Sequence, residues 1–98
     1  MTEDERDLML NYAVLGREVE AFFNSRVGKY LMLRVDKEYV AALDGLREVD
    51  PTNTTSIVRL QGEAWRARSV REWLSEAIRV GLAAEEQLEE REDHGQED

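Results

Sequence analysis

The sequence predicts an all-α protein, and three observations carry that expectation. A single proline, Pro51, interrupts 98 residues. β-Branched and aromatic side chains nowhere alternate with polar ones over the length of a strand. Apolar residues recur at spacings of three and four through most of the chain, which gathers them on one face of a helix. The expected architecture is an antiparallel helical hairpin with three helices: a kinked N-terminal arm of two, followed by one long C-terminal helix. Residues 1–93 form the single domain, and residues 94–98 a disordered acidic tail.

The first helix is expected to start at Thr2, whose hydroxyl caps the amide of Glu5 while Glu5 reaches back, the Thr-x-x-Glu box. Glu3, Asp4 and Glu5 suit the positive end of the helix dipole. Leu8, Tyr12, Leu15, Val19 and Phe22 follow as one apolar stripe, flanked by Leu10, Val14 and Phe23. Asn24-Ser25 and Gly28 lower helix propensity, so residues 24–28 read as a kink or short turn. The second helix is expected over residues 29–49, with Met32, Val35, Tyr39, Ala42, Leu46 and Val49 in its stripe. Asp50-Pro51-Thr52-Asn53-Thr54-Thr55 then ends it, because proline cannot continue a helix and Asp, Asn and Thr supply caps for the next. The third helix is expected over residues 56–92, its stripe running from Ile57 and Leu60 through Ala64, Ala67, Val70, Leu74, Ala77 and Ile78 to Ala84 and Leu88. Gly62 and Gly81 interrupt its propensity; exposure or close helix contact is the expected reason, and a hinge the alternative.

Composition narrows function by exclusion. There are 22 acidic and 13 basic side chains, a net charge of −9, which disfavours direct binding to nucleic acid or an anionic membrane. Cysteine is absent, which removes disulfides, thiolate metal sites and cysteine nucleophiles. The one histidine, His94, lies in the acidic tail, so a histidine triad or multi-histidine metal site is not expected. No apolar run approaches the roughly 18 residues of a membrane span, and the acidic start is unlike a signal peptide. Asn53-Thr54-Thr55 matches a glycosylation acceptor but carries no weight without a secretion signal. A non-catalytic cytoplasmic protein with no cofactor is the expectation.

Charge is segregated along the chain. Residues 1–20 carry −4, residues 21–80 carry +2 and residues 81–98 carry −7. In a hairpin this makes an acidic pole and a mildly basic waist. A two-helix layer leaves much of each apolar stripe wet, so homo-oligomerisation is expected.

Three groups of residues compete for a functional role. The segment from Ala64 to Trp73 holds Trp65, Arg66, Arg68 and Trp73, residue types enriched at binding hot spots. The spacing first predicts both tryptophans inside the contact between the second and third helices. A partner or oligomer interface is the alternative, and an anion or nucleotide pocket the third reading. Arg68 and Glu72 are also set to pair at i, i+4. Lys29 and Tyr30, near Arg26 and Arg34, offer donors and a ring to a phosphorylated ligand, although a solvated basic face beside a bend explains them as well. No glycine-rich phosphate loop supports the sharper idea. Glu85, Glu86, Glu89 and Glu90, with Glu92 and Asp93, read as a solvated helix end, or as a cation site or an acidic face that mimics nucleic acid.

Two runs carry a family resemblance. Phe22-Phe23-Asn24-Ser25-Arg26-Val27-Gly28-Lys29-Tyr30-Leu31 is one, and Leu60-Gln61-Gly62-Glu63-Ala64-Trp65-Arg66-Ala67-Arg68-Ser69 with Trp73-Leu74-Ser75-Glu76-Ala77-Ile78 is the other. Over about residues 10–90 the chain resembles an uncharacterised family of small helical proteins of tailed bacteriophages and prophages. The resemblance implies a viral origin, a helical hairpin and residence in the bacterial host cytoplasm. It transfers no site residues. The expected role is self-association and contact with another protein, in an assembly or accessory capacity. The alternatives are an anti-defence inhibitor, working as an acidic nucleic-acid mimic or surface blocker, and a sponge for a nucleotide signal.

Overall fold

In the computed structural model, the backbone is described for residues 1–97 and the side chains for residues 1–92. The chain forms three helices, α1 (Glu3–Asn24), α2 (Arg26–Glu48) and α3 (Thr54–Glu97), with no strand among the described residues. The all-α expectation therefore holds. The tail expected over residues 94–98 includes side chains, and in residue 98 a backbone, outside the described set.

Each boundary has a local cause. The Thr2 hydroxyl accepts from the Glu5 amide at 3.1 Å, the forward half of the capping box. The interruption expected over residues 24–28 shrinks to Ser25 alone, because Ser25 is itself a helix cap. Its backbone is extended, and its hydroxyl accepts from the Gly28 amide at 2.9 Å. That bond satisfies an orphan donor in the first turn of α2, so the helix starts at Arg26, three residues before the sequence expectation. At the other end of α2, Val49 is the C-cap and its amide donates to the Gly45 carbonyl. Asp50 then folds over the turn: its Oδ1 accepts from the Thr52 amide at 2.8 Å and the Thr52 hydroxyl at 2.7 Å. Asn53 caps α3, its Oδ1 accepting from the Ser56 amide at 3.1 Å.

The helices divide into two compact units. One contains residues 1–24 with those from Leu74 onward, and the other residues 25–73.

In the second unit, Gly45 lies under the Leu60 side chain and Asp36 pairs with Arg71, so α2 and the first part of α3 run antiparallel. The expected stripes make this contact. Met32, Ala42, Leu60, Ala64 and Ala67 are buried, with Val35, Tyr39, Leu46, Ile57 and Val70 half-buried around them.

In the first unit, Gly16 meets Ala77 and Gly81, while Met1, Thr2 and Arg6 face Leu88 and Arg91, again an antiparallel pair. Here the expected stripe of α1 needs correction. Val19 of that stripe is buried and Phe22 half-buried, but Leu8 is 47% exposed and Leu15 50%, and Tyr12 is also exposed; the buried face of α1 is the line Met9, Ala13, Gly16 and Val19. Close approach decides this. A Cβ built on Gly81 would stand 2.8 Å from the Tyr12 carbonyl oxygen and 2.9 Å from the Gly16 Cα, so backbone touches backbone where the helices cross. Only the small-residue line fits that crossing, and the large side chains are displaced to its flanks. Gly81 is thus a close helix contact. Gly62 is not, since a Cβ there would meet only the tip of Arg66 at 3.4 Å.

Candidate functional site

The core is built largely from small residues. Five of its eight hydrophobic members are alanines, and no large side chain among the described residues is fully enclosed. Thin cores leave large apolar side chains outside.

The tryptophans illustrate the consequence. Trp65 is 67% exposed and Trp73 66%, so neither occupies the α2–α3 contact that their spacing first predicted. The reason is angular. Ala64 and Ala67 take the buried face, which turns Trp65 outward on the same helix, and half-buried Val70 and Leu74 do the same to Trp73. Between them lies Ser69, in a row with an indole one turn before it and one turn after it. Its hydroxyl donates to the Trp65 carbonyl at 2.8 Å, and it is 5% exposed although it lies away from the alanine face. This i, i+4, i+8 row places two large amphipathic rings on the surface around a satisfied polar centre.

Arginines accompany the row. Arg68 forms the expected i, i+4 pair with Glu72 at 2.6 Å, and the Glu72 carboxylate's hydrogen bond and charge raise the Arg68 pKa. Arg66 is exposed and has no ion-pair partner among the described residues. Arg68 instead lines a groove of about 260 Å³, together with Val35, Asp36, Tyr39, Ala67, Arg71 and Glu72. Arg71 grips Asp36 with bonds of 2.7 and 2.8 Å. Two arginines and two carboxylates face this groove, so its charges cancel, and a phosphate entering it has to displace a carboxylate first.

Lys29 and Tyr30 lie exposed in the first turns of α2, and Tyr30 is near enough to contribute to the raised pKa of Arg34, though less than the Glu38 carboxylate that pairs with it at 3.1 Å. Neither residue lines the groove.

The acidic group divides. Glu85 belongs to the inter-helix contact of its own unit, its carboxylate taking two bonds from Arg17 at 2.7 and 2.8 Å. Glu86, Glu89 and Glu90 are exposed and have no ion-pair partner among the described residues. A surface of four free carboxylates is therefore reduced to three. Among the described residues there is no group of three or more carboxylates and histidines placed to hold a metal ion. No helix among them is long and apolar enough to cross a membrane.

Sequence reasoning did not single out Ser69, and it expected close contact at Gly81 without naming its partner, Gly16. Ser69 carries no signal of its own until the tryptophan spacing is read with it. The Gly16–Gly81 crossing was legible as a row of small residues, Ala13 and Gly16 on α1 and Ala77, Gly81 and Ala84 on α3, obscured by the larger apolar residues beside it. No protein-family model, curated protein or solved structure matches the chain.

Proposed function

We propose that this chain works by protein–protein contact and self-association, as a small acidic helical protein in an assembly or accessory role. The arrangement proposed for the whole chain is a hairpin whose first arm bends at Ser25, and the setting is the one its sequence resemblance implies, a tailed-phage protein in the host cytoplasm. The observation that supports this reading best is the outward display of Trp65 and Trp73. Exposed aromatic residues of this size are uncommon on surfaces with no partner and are enriched where partners bind. The acidic ends then serve solubility and orientation. The reading as a nucleic-acid mimic draws less support, since Glu85 is held by Arg17. The nucleotide-sponge reading draws less as well, because Arg68 and Arg71 are already paired.

The test compares two variants in a pull-down from host lysate. With Trp65 and Trp73 both replaced by alanine, retention of the specific partner is expected to fall to background. With Glu86, Glu89 and Glu90 replaced by glutamine, retention is expected to persist. The opposite pattern, with helicity intact in both, overturns the proposal in favour of the mimic.

A further inference from the structure

Resting on the protein–protein contact just proposed, we infer that the partner on the tryptophan face is an acidic amphipathic segment. One of its carboxylates pairs with Arg66, and its apolar side chains cover Trp65 and Trp73. The face belongs to the unit of residues 25–73, on the side of α3 opposite Ala64 and Ala67. On a helix of 3.6 residues per turn, Val58, Ser69, Gly62, Trp73 and Arg66 all fall within about 100° of Trp65. Val58 and Trp65 are each 67% exposed and Trp73 66%. The two indoles stand about 12 Å apart along the axis. Gly62 leaves a notch between Val58 and Trp65, where only Nη1 of Arg66 comes near the place of the missing Cβ, at 3.4 Å. The Arg66 guanidinium therefore folds back over Gly62 and lies on the face among these apolar groups.

The partner's chemistry follows from what this face lacks. Tryptophan and arginine side chains carry hydrogen-bond donors and no acceptor. The indole N–H groups of Trp65 and Trp73 and the Arg66 guanidinium have no partner among the described residues. Ser69, the polar group between the indoles, already donates inward to the Trp65 carbonyl. The carboxylates bordering the face are taken: Glu63 by Arg59 at 3.0 Å, Glu72 by Arg68 at 2.6 Å and Glu76 by Arg79 at 3.1 Å. Arg66 is thus the uncompensated charge of the face, in a unit with nine basic and seven acidic residues, a net of +2. Apolar rings with unfilled donors are complemented by acceptors set among apolar side chains. Covering the face sharpens the choice, because a guanidinium taken out of water without a counter-charge is strongly unfavourable. A basic segment is repelled, and a neutral one leaves Arg66 unpaired. A nucleic acid also offers acceptors, but its continuous charge meets the whole chain, at −9, and not this face alone.

Panning a phage-displayed library of random peptides on the intact chain tests this. Enriched peptides are expected to carry aspartate or glutamate among large apolar residues. Their affinity is expected to fall about 10-fold or more with Arg66→Gln, and equally when the peptide's carboxylates become amides, with little further loss when the two changes are combined. Arg66→Glu is expected to turn the selection toward basic peptides. Arg66 is exposed and unpaired, so neither change is expected to alter helicity. Binders indifferent to charge but lost when Trp65 and Trp73 become alanine overturn the acidic partner and leave the tryptophan interface standing. Binders retained by that double variant overturn the face itself. A library that yields no binder overturns the inference, as does a single-stranded oligonucleotide held more tightly than any acidic peptide. Dissociation of the chain's own oligomer by Arg66→Gln assigns the face to a second copy and overturns it as well.

Discussion

Replacing Gly81 and Gly62 by alanine in separate chains tests the packing directly, because the two changes share one energetic term and differ in the other. Alanine is favoured over glycine in a helix interior by about 1 kcal/mol, and both positions lie inside α3. At Gly62 the new methyl meets only the end of Arg66 at 3.4 Å, a flexible group that moves aside. Gly62→Ala is therefore expected to stabilise the chain by roughly 0.5–1 kcal/mol. At Gly81 the methyl arrives 2.8 Å from the Tyr12 carbonyl oxygen and 2.9 Å from the Gly16 Cα. Ordinary carbon contacts are about 3.5–4.0 Å, so α1 must retreat by several tenths of an ångström or more. Overpacking of this kind costs about 1–3 kcal/mol. The propensity term cancels between the variants, leaving a difference of roughly 1–3 kcal/mol that belongs to the crossing. For a domain of this size that separates the melting temperatures by at least about 4 °C. Urea unfolding followed by circular dichroism, at one protein concentration because association shifts apparent stability, measures it. Equal stability of the two variants refutes the close α1–α3 crossing.

Three further outcomes follow from the geometry. Trp73→Ala removes a side chain that is only about one-third covered, and a third of about 250 Å² at about 25 cal/mol/Å² limits the loss to about 2 kcal/mol; a loss above 3 kcal/mol in the dissociated chain contradicts its exposure. Ser25→Ala deletes the hydroxyl that caps α2 and is expected to cost about 1 kcal/mol, seen as a lower unfolding midpoint; an unchanged midpoint contradicts the cap. The Asp50 carboxylate, hydrogen-bonded first by the Thr52 amide and then by its hydroxyl, has its pKa held below the ordinary 3.8. A depressed carboxylate contributes stability that is present above the unfolded pKa and lost as pH falls through the lower folded one. Acid titration of stability is thus expected to lose a component below about pH 4, and Asp50→Asn is expected to lack it; identical profiles contradict that role.

Much of the fold was legible because helices advertise themselves by period. The stripe from Met32 to Val49 and the one from Ile57 to Leu88 turned out buried or half-buried along their length. The turn was legible too, since Asp50, Pro51 and Asn53 each do there what their chemistry favours. The α1 face was misread because hydrophobicity alone ranks Leu8 and Leu15 above Ala13 and Gly16, while a contact between two glycines rewards absence of bulk. Ser25 was read as a helix breaker, although the same hydroxyl that lowers interior propensity caps the next helix. The spacing of the tryptophans points them inward, and only the competing claim of Ala64 and Ala67 on the buried face turns Trp65 out. The Glu85 pairing depends on Arg17, 68 positions away in the chain, and no local pattern announces it.

Sedimentation equilibrium of the unaltered chain, from micromolar to near-millimolar concentration, tests the central claim most directly. Self-association through uncovered apolar faces requires a mass of at least twice 11.3 kDa that decays toward the single chain on dilution and persists in high salt, because apolar contact is not screened. A mass of 11.3 kDa at every concentration contradicts it.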